Sequence, residues 1–185
     1  MRLWRVLPFD RSAAIDEPGG PLWSPREHQG TGRHDNPGLY GCLYVADDPV
    51  AAVAEPLIEF RGTGQLTALM LTRLGLPLAL AEFELSDDVA AIDLDDPGFL
   101  AERELRPSRV ATRIRELTQG TAADMYVEFP DAVGLRWWST IEAMWINWSL
   151  FHDRAFPLLD LVEVNELRID EPVVRDAAVA IGLNA

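Results

Sequence analysis

The apolar runs of this chain are short, and they change type from one to the next. "RLWRVL" alternates and holds β-favouring residues, so residues 3–7 read as a first strand. "LYGCLYVA" reads as a buried strand. "DDPVAAVAEPLIEF" follows it as a helix: Asp47 or Asp48 caps it, Pro49 suits the first position, and Pro56 limits or kinks it. "GQLTALMLTRLG" reads as a short apolar helix closed by Gly75. "LALAEFEL" and "VAAIDL" read as strands, "DPGFLAEREL" and "TQGTAADMYVEF" as helices. "GLRWWST", "INWSLF" and "LLDLVEV" read as three further strands, and "DEPVVRDAAVAIGL" as a C-terminal helix with Pro172 in its first turn. Strands and short helices intermingle without regular βαβ alternation. That pattern predicts an α+β fold, a single domain over residues 1–185 with a mixed or antiparallel central sheet and short helices. Residues 8–32 are polar and rich in Gly and Pro, so they form a long irregular loop, pinned at Trp23; such loops are often functional. No repeat, low-complexity tract or linker is visible.

Composition narrows the function. With 48% hydrophobic and 25% charged residues, the chain is globular rather than disordered. A net charge of −14 argues against nucleic acid as the main ligand and against an anionic membrane surface. It leaves room for a small anion held by one or two local arginines. The lone Cys42 excludes an intramolecular disulfide and lies in an apolar run, where a buried, inert thiol is the rule. "MRLWRVLPFDRS" is too short and interrupted for a signal-peptide core, and no apolar run spans a bilayer. The cytoplasm is the expected compartment. Homo-oligomerisation stays open.

Several chemistries find no support. His28 and His34 share a loop, but His152 is distant and no HExxH or CxxC pattern occurs, so no metal is expected. There is no Walker A loop, GxGxxG or GxSxG. A Cys42–His34 thiol nucleophile conflicts with a cysteine inside an apolar strand. Among 30 acidic residues some pair always resembles a glycosidase dyad; "SDD", "LDLDDP" and "ADDP" read better as caps and surface.

Two stretches remain. In "RWWSTIEAMWINWSLF", Trp137 and Trp138 face opposite sides of a strand, and Ser139 shares a face with Trp137. Ser139 either ends the strand or places a hydroxyl at a pocket floored by indole. In "GRHDNPGLYGCLY", a turn explains Asn36, Pro37 and Gly38. It does not explain Arg33, Tyr40 or Tyr44.

The run "GRHDNPGLYGCLYVADDPVAAVAE", the later "GLRWWST…INWSLF" and the early "RLWRV" together resemble the RES-domain family, named for an arginine, a glutamate and a serine. The resemblance covers most of the chain. It implies Arg33 as the arginine, Tyr44 as the strand tyrosine, Glu55 as the glutamate and Ser139 as the serine, with Arg5 as an accessory pocket arginine. Two positions depart from the family pattern: His34 stands where an aromatic is usual, and Asp35 separates it from Asn36. The resemblance further implies an ADP-ribosyltransferase-like fold. It implies a bacterial toxin that consumes NAD as substrate, without metal, and is neutralised by a cognate antitoxin.

The residue types suit that chemistry. Cleaving the nicotinamide–ribose bond builds positive charge on the ribose, which a carboxylate such as Glu55 stabilises. Pyrophosphate calls for a guanidinium fork, which Arg33 offers, with Arg5 or Arg136 as helpers. Tyr44 or Tyr40 provides an aromatic wall for the nicotinamide ring, and Ser139 a hydrogen bond to ribose or amide. The ADP-ribose acceptor, whether water, phosphate or a protein side chain, is not encoded in these groups. Two other readings stay open: a catalytically inactive RES-like module that recognises a protein partner, and a structural or immunity-type acidic protein. In a purely structural reading of the four residues, Arg33–Glu55 is an ion pair tying loop to helix, Tyr44 is core and Ser139 ends a strand.

Overall fold

The structure, a computed structural model, describes residues 1–184. In chain order its strands and α-helices are β1 (Arg2–Pro8), β2 (Cys42–Ala46), α1 (Pro49–Leu57), β3 (Thr72–Arg73), β4 (Leu76–Leu85), β5 (Ile92–Asp93), α2 (Pro97–Glu102), α3 (Pro107–Val110), α4 (Arg115–Glu128), β6 (Gly134–Trp138), β7 (Ile146–Phe151), α5 (His152–Ala155), β8 (Leu159–Glu166) and α6 (Pro172–Ala180). The α+β class expected from the sequence is what the chain adopts. Its packing resolves into two compact units.

The first unit comprises Met1–Trp23, Ala46–Leu85 and the chain from Asp160 onwards. β1 pairs antiparallel with β4 from Arg2 opposite Glu84 to Pro8 opposite Leu78. β8 also pairs with β4, and Ala46 at the end of β2 lies opposite Trp4. The helix expected over "GQLTALMLTRLG" is a correction. Ala68–Leu71 makes one 3₁₀ turn, and then β3 and β4 form a tight hairpin with Arg73 opposite Leu76. The two hairpin-tip residues, Leu74 and Gly75, both have positive φ (55° and 79°), as the tightest hairpin turns demand. Cross-strand pairing outweighs the local apolar spacing, and Leu74 projects into solvent.

α1 follows its sequence signals closely. Asp48 Oδ1 accepts hydrogen bonds from the amides of Val50 (2.7 Å) and Ala51 (3.0 Å), satisfying two orphan donors of the first turn. Pro49 occupies the first turn, and Pro56 is confined to the last, where a 3₁₀ turn takes over. Ala51, Ala52, Val53, Ala54 and Leu57 are buried, and the helix packs on β1 and α6. The small side chains permit that close approach. Glu55 is on the exposed side of the helix.

The second unit comprises Ser24–Val45 and Ser86–Leu159. β2 neighbours β7, β7 runs antiparallel to β6, and β6 runs parallel to β5, so the sheet is mixed. The strand expected over "VAAIDL" shortens to Ile92–Asp93. Leu135, Trp137 and Phe151 from the sheet pack with Tyr40, Leu100, Val110, Ala122 and Met125 in one core. α4 forms where expected, Gly120 notwithstanding.

Candidate functional site

The segment from Gly30 to Tyr44 is built around a buried carboxylate. Asp35 Oδ2 accepts from the amides of Gly30 (2.8 Å) and Gly32 (2.7 Å), and Oδ1 accepts from the Tyr44 hydroxyl (2.8 Å). The Tyr44 oxygen in turn accepts from the His34 amide at 2.9 Å. Tyr40 donates to the His34 carbonyl (2.7 Å) and accepts from Asn36 Nδ2 (2.8 Å). Burial raises the pKa of both phenols, so both stay protonated donors. Gly32 is required by close approach, since a Cβ there would lie 2.5 Å from Asp35 Oδ1 and 2.6 Å from the Tyr44 oxygen. From α4, Gln119 donates to the Gly30 and Gly32 carbonyls, and the Thr118 hydroxyl to that of Arg33.

This frame fixes two side chains. Arg33 is buried, 7% exposed. Its Nη1 donates to the carbonyls of Val110 (3.0 Å) and Thr112 (2.8 Å), and its guanidinium lies 4.9 Å from the centre of the Trp137 ring. His34 is buried too, with Nδ1 2.8 Å from Ser149 Oγ and its ring edge-on to Trp137. Trp137 Nε1 donates to the same Ser149 oxygen at 3.0 Å. Desolvation, with Arg33 and Arg115 nearby, lowers the His34 pKa to about 3, so the imidazole is neutral. Burial pushes the Cys42 thiol well above its ordinary value, which fits the inert reading.

The structure therefore brings Arg33, Tyr40 and Tyr44 into one hydrogen-bonded assembly in the second unit. Arg33 is not an open fork at a loop lip: a cation this buried needs acceptors, and the backbone oxygens at the end of α3 and just past it supply them. Tyr40 is fully buried against Tyr126 and Phe151, which makes its ring a core element; Tyr44 is only partly buried. Ser139, also in this unit, is buried where β6 ends. Its amide donates to the Trp145 carbonyl (2.7 Å), and its hydroxyl accepts from the Ile141 amide (3.1 Å). Glu55 and Arg5 belong to the first unit. Arg5 donates to the carbonyls of Pro21 and Trp23, both at 2.8 Å, so it holds the long loop down, and burial lowers its pKa to about 10. Arg136, expected as a helper, is paired with Asp93 through both carboxylate oxygens.

Strand register adds residues that sequence reasoning passed over. Leu135 lies opposite Ser149 and Trp137 opposite Asn147, so Trp137, Ser139, Asn147 and Ser149 share a sheet face, and all are buried. The signal was present in "INWSLF", where polar residues two apart interrupt an apolar strand. Two clefts open elsewhere in this unit. One of about 810 Å³ runs past Leu100, Leu105 and Trp138; the other, about 590 Å³, past Phe99 and Phe129. Among the described residues no group of three or more His, Cys, Asp or Glu is placed to hold a metal, and no helix is long and apolar enough to cross a membrane.

The chain belongs to the RES domain family, whose family model matches residues 2–175. In fold it is similar to a chain of the crystal structure of the M. tuberculosis MbcT–MbcA toxin–antitoxin complex. That match has a TM-score of 0.65 at 16% identity and covers 97% of this chain and 86% of the other. A search of curated protein sequences gives no match.

Proposed function

We propose that this protein is the toxin of a toxin–antitoxin pair and consumes NAD by cleaving the nicotinamide–ribose bond. The observation that carries the reading is the RES family match, which runs through Arg33, Tyr44, Glu55 and Ser139. The likeness to a chain from a toxin–antitoxin complex supports the partner half of the proposal.

In the proposed reaction the carbon–nitrogen bond from ribose C1′ to the nicotinamide ring breaks, and its electron pair leaves with the ring. The positively charged pyridinium becomes neutral nicotinamide, while positive charge develops on the ribose. Glu55 stabilises that charge and hydrogen-bonds the ribose 2′-hydroxyl. An acceptor oxygen then bonds to C1′ and gives up its proton. Arg33 is pre-oriented by Trp137 and two carbonyls, so its charge is fixed before substrate arrives. Tyr44 supplies the ring wall, Ser139 a polar contact, and a cognate antitoxin neutralises the activity. His34 and Asp35 do not argue for a degenerate, inactive module, because both are fully used in building the loop that carries Arg33.

Incubating purified protein with NAD and measuring released nicotinamide tests this. Release by the parent, and loss of release in Arg33→Ala, is the expected result. Arg33→Lys should recover only part of the activity, since an ammonium keeps the charge but not the planar guanidinium that lies on Trp137 and bonds both carbonyls.

A further inference from the structure

The 16 basic residues are all arginine, against 30 acids. Elsewhere all but Arg175 of these arginines find acceptors: Arg2, Arg11, Arg73, Arg103, Arg136 and Arg168 pair with carboxylates, and Arg61 bonds to the Ile181 carbonyl. Arg5, Arg26, Arg33 and Arg154 bond to backbone oxygens. One stretch is different. Between residues 106 and 115, in "RPSRVATRIR", Arg106, Arg109, Arg113 and Arg115 are all exposed. None of these four side chains has an ion pair or hydrogen bond among the described residues, although Glu102, Glu104 and Glu116 are close in sequence.

We propose that this arginine-bearing stretch is a docking surface for an acidic segment of a partner protein. A concentration of uncompensated positive charge on a chain of net charge −14 is a local field opposite in sign to the whole. Arginine forks match carboxylates bidentately, and arginine is the charged residue enriched at protein interfaces. Ile114, 55% exposed between Arg113 and Arg115, adds an apolar contact that a free anion would not use. The backbone is held in advance: the Val110 and Thr112 carbonyls grip Arg33, and Arg109 N–H bonds to the Arg106 carbonyl. A preordered platform loses less entropy when a partner docks. A nucleic acid fits less well, because its extended phosphate backbone would run on over a strongly acidic molecule. The surface does not depend on NAD chemistry and is tested apart from it.

The probe is a fluorescein-labelled peptide rich in glutamate and aspartate with a central leucine, titrated with the full-length protein by anisotropy. The parent should bind at low salt and weaken as salt rises. Arg109→Glu with Arg113→Glu and Arg115→Glu should weaken binding by about tenfold or more, while Arg175→Glu, elsewhere on the surface, should leave it within about twofold. Circular dichroism checks that each variant is folded. The milder Arg113→Gln with Arg115→Gln serves if the triple reversal unfolds, with a loss of about threefold or more expected. No binding by the parent, equal binding by the reversed variant, equal loss in Arg175→Glu, or stronger binding of an RNA oligonucleotide than of the peptide would each overturn the proposal.

Discussion

Asp35 and His34 show how a departure from a family pattern can be structural. Asp35 gathers three donors, so Asp35→Ala leaves two amides and a phenol without their acceptor in a buried setting. The expected cost is about 1–3 kcal/mol per unsatisfied group, read as a large fall in Tm. Gly32→Ala drives a methyl group into the same carboxylate and the Tyr44 oxygen and should also lower Tm. His34 gives a pH prediction with a definite sign. Its folded pKa of about 3 lies below the ordinary 6.5, so between these values the unfolded chain takes up a proton that the folded chain refuses. Its contribution to stability is complete above about pH 6.5 and is lost as pH falls towards about 3, on the order of a few kcal/mol. Denaturant melts across that window should show a shallower fall in His34→Phe than in the parent. An equal slope in both would remove His34 as the cause. From sequence, Arg33 and Tyr44 could be singled out by type and position. Their partners could not: Val110, Thr112 and Trp137 are brought to Arg33 by long-range folding that no local spacing encodes.

Elements were legible where their ends carry chemistry. The Asp48 cap, Pro49 and the alanine run specify α1 in full, and Pro172 opens α6 as read. Asp48→Ala should cost about 1 kcal/mol and lower Tm by a few degrees, as loss of a helix cap does. Elements were misread where pairing overrides local spacing. Residues 64–75 have an apolar spacing that suits a helix, yet their last part forms a hairpin, because Thr72 and Arg73 pair with the start of β4 across a two-residue turn. Replacing Gly75 with valine, a β-branched residue at a φ of 79°, should destabilise that hairpin, and hydrogen exchange of the Arg73 amide, opposite Leu76, would show it. The β6–β7 face was half legible. Trp137 and Ser139 could be assigned one side from parity alone, but Asn147 and Ser149 join them only through the observed register.

For the whole molecule, the α+β class followed from intermingled short elements, while the division into two compact units did not, since no linker or change of composition marks it. Each unit is assembled from segments far apart in sequence, which a linear reading cannot group. Residue types carried the functional expectation across that gap: Arg33, Tyr44 and Ser139 belong to one unit and Glu55 to the other, and the RES family match runs through both. In the proposed reaction Glu55 acts on the charge that develops as the glycosidic bond breaks. The most direct measurement is nicotinamide release from NAD by the parent and by Glu55→Gln, with kcat and KM determined separately and folding checked by circular dichroism. The parent should release nicotinamide. Glu55→Gln should keep a similar KM and lose about 10²–10³-fold in kcat, the mark of a group that acts only in the transition state. Parent-level turnover by a folded Glu55→Gln protein, or no release by either protein, would contradict it.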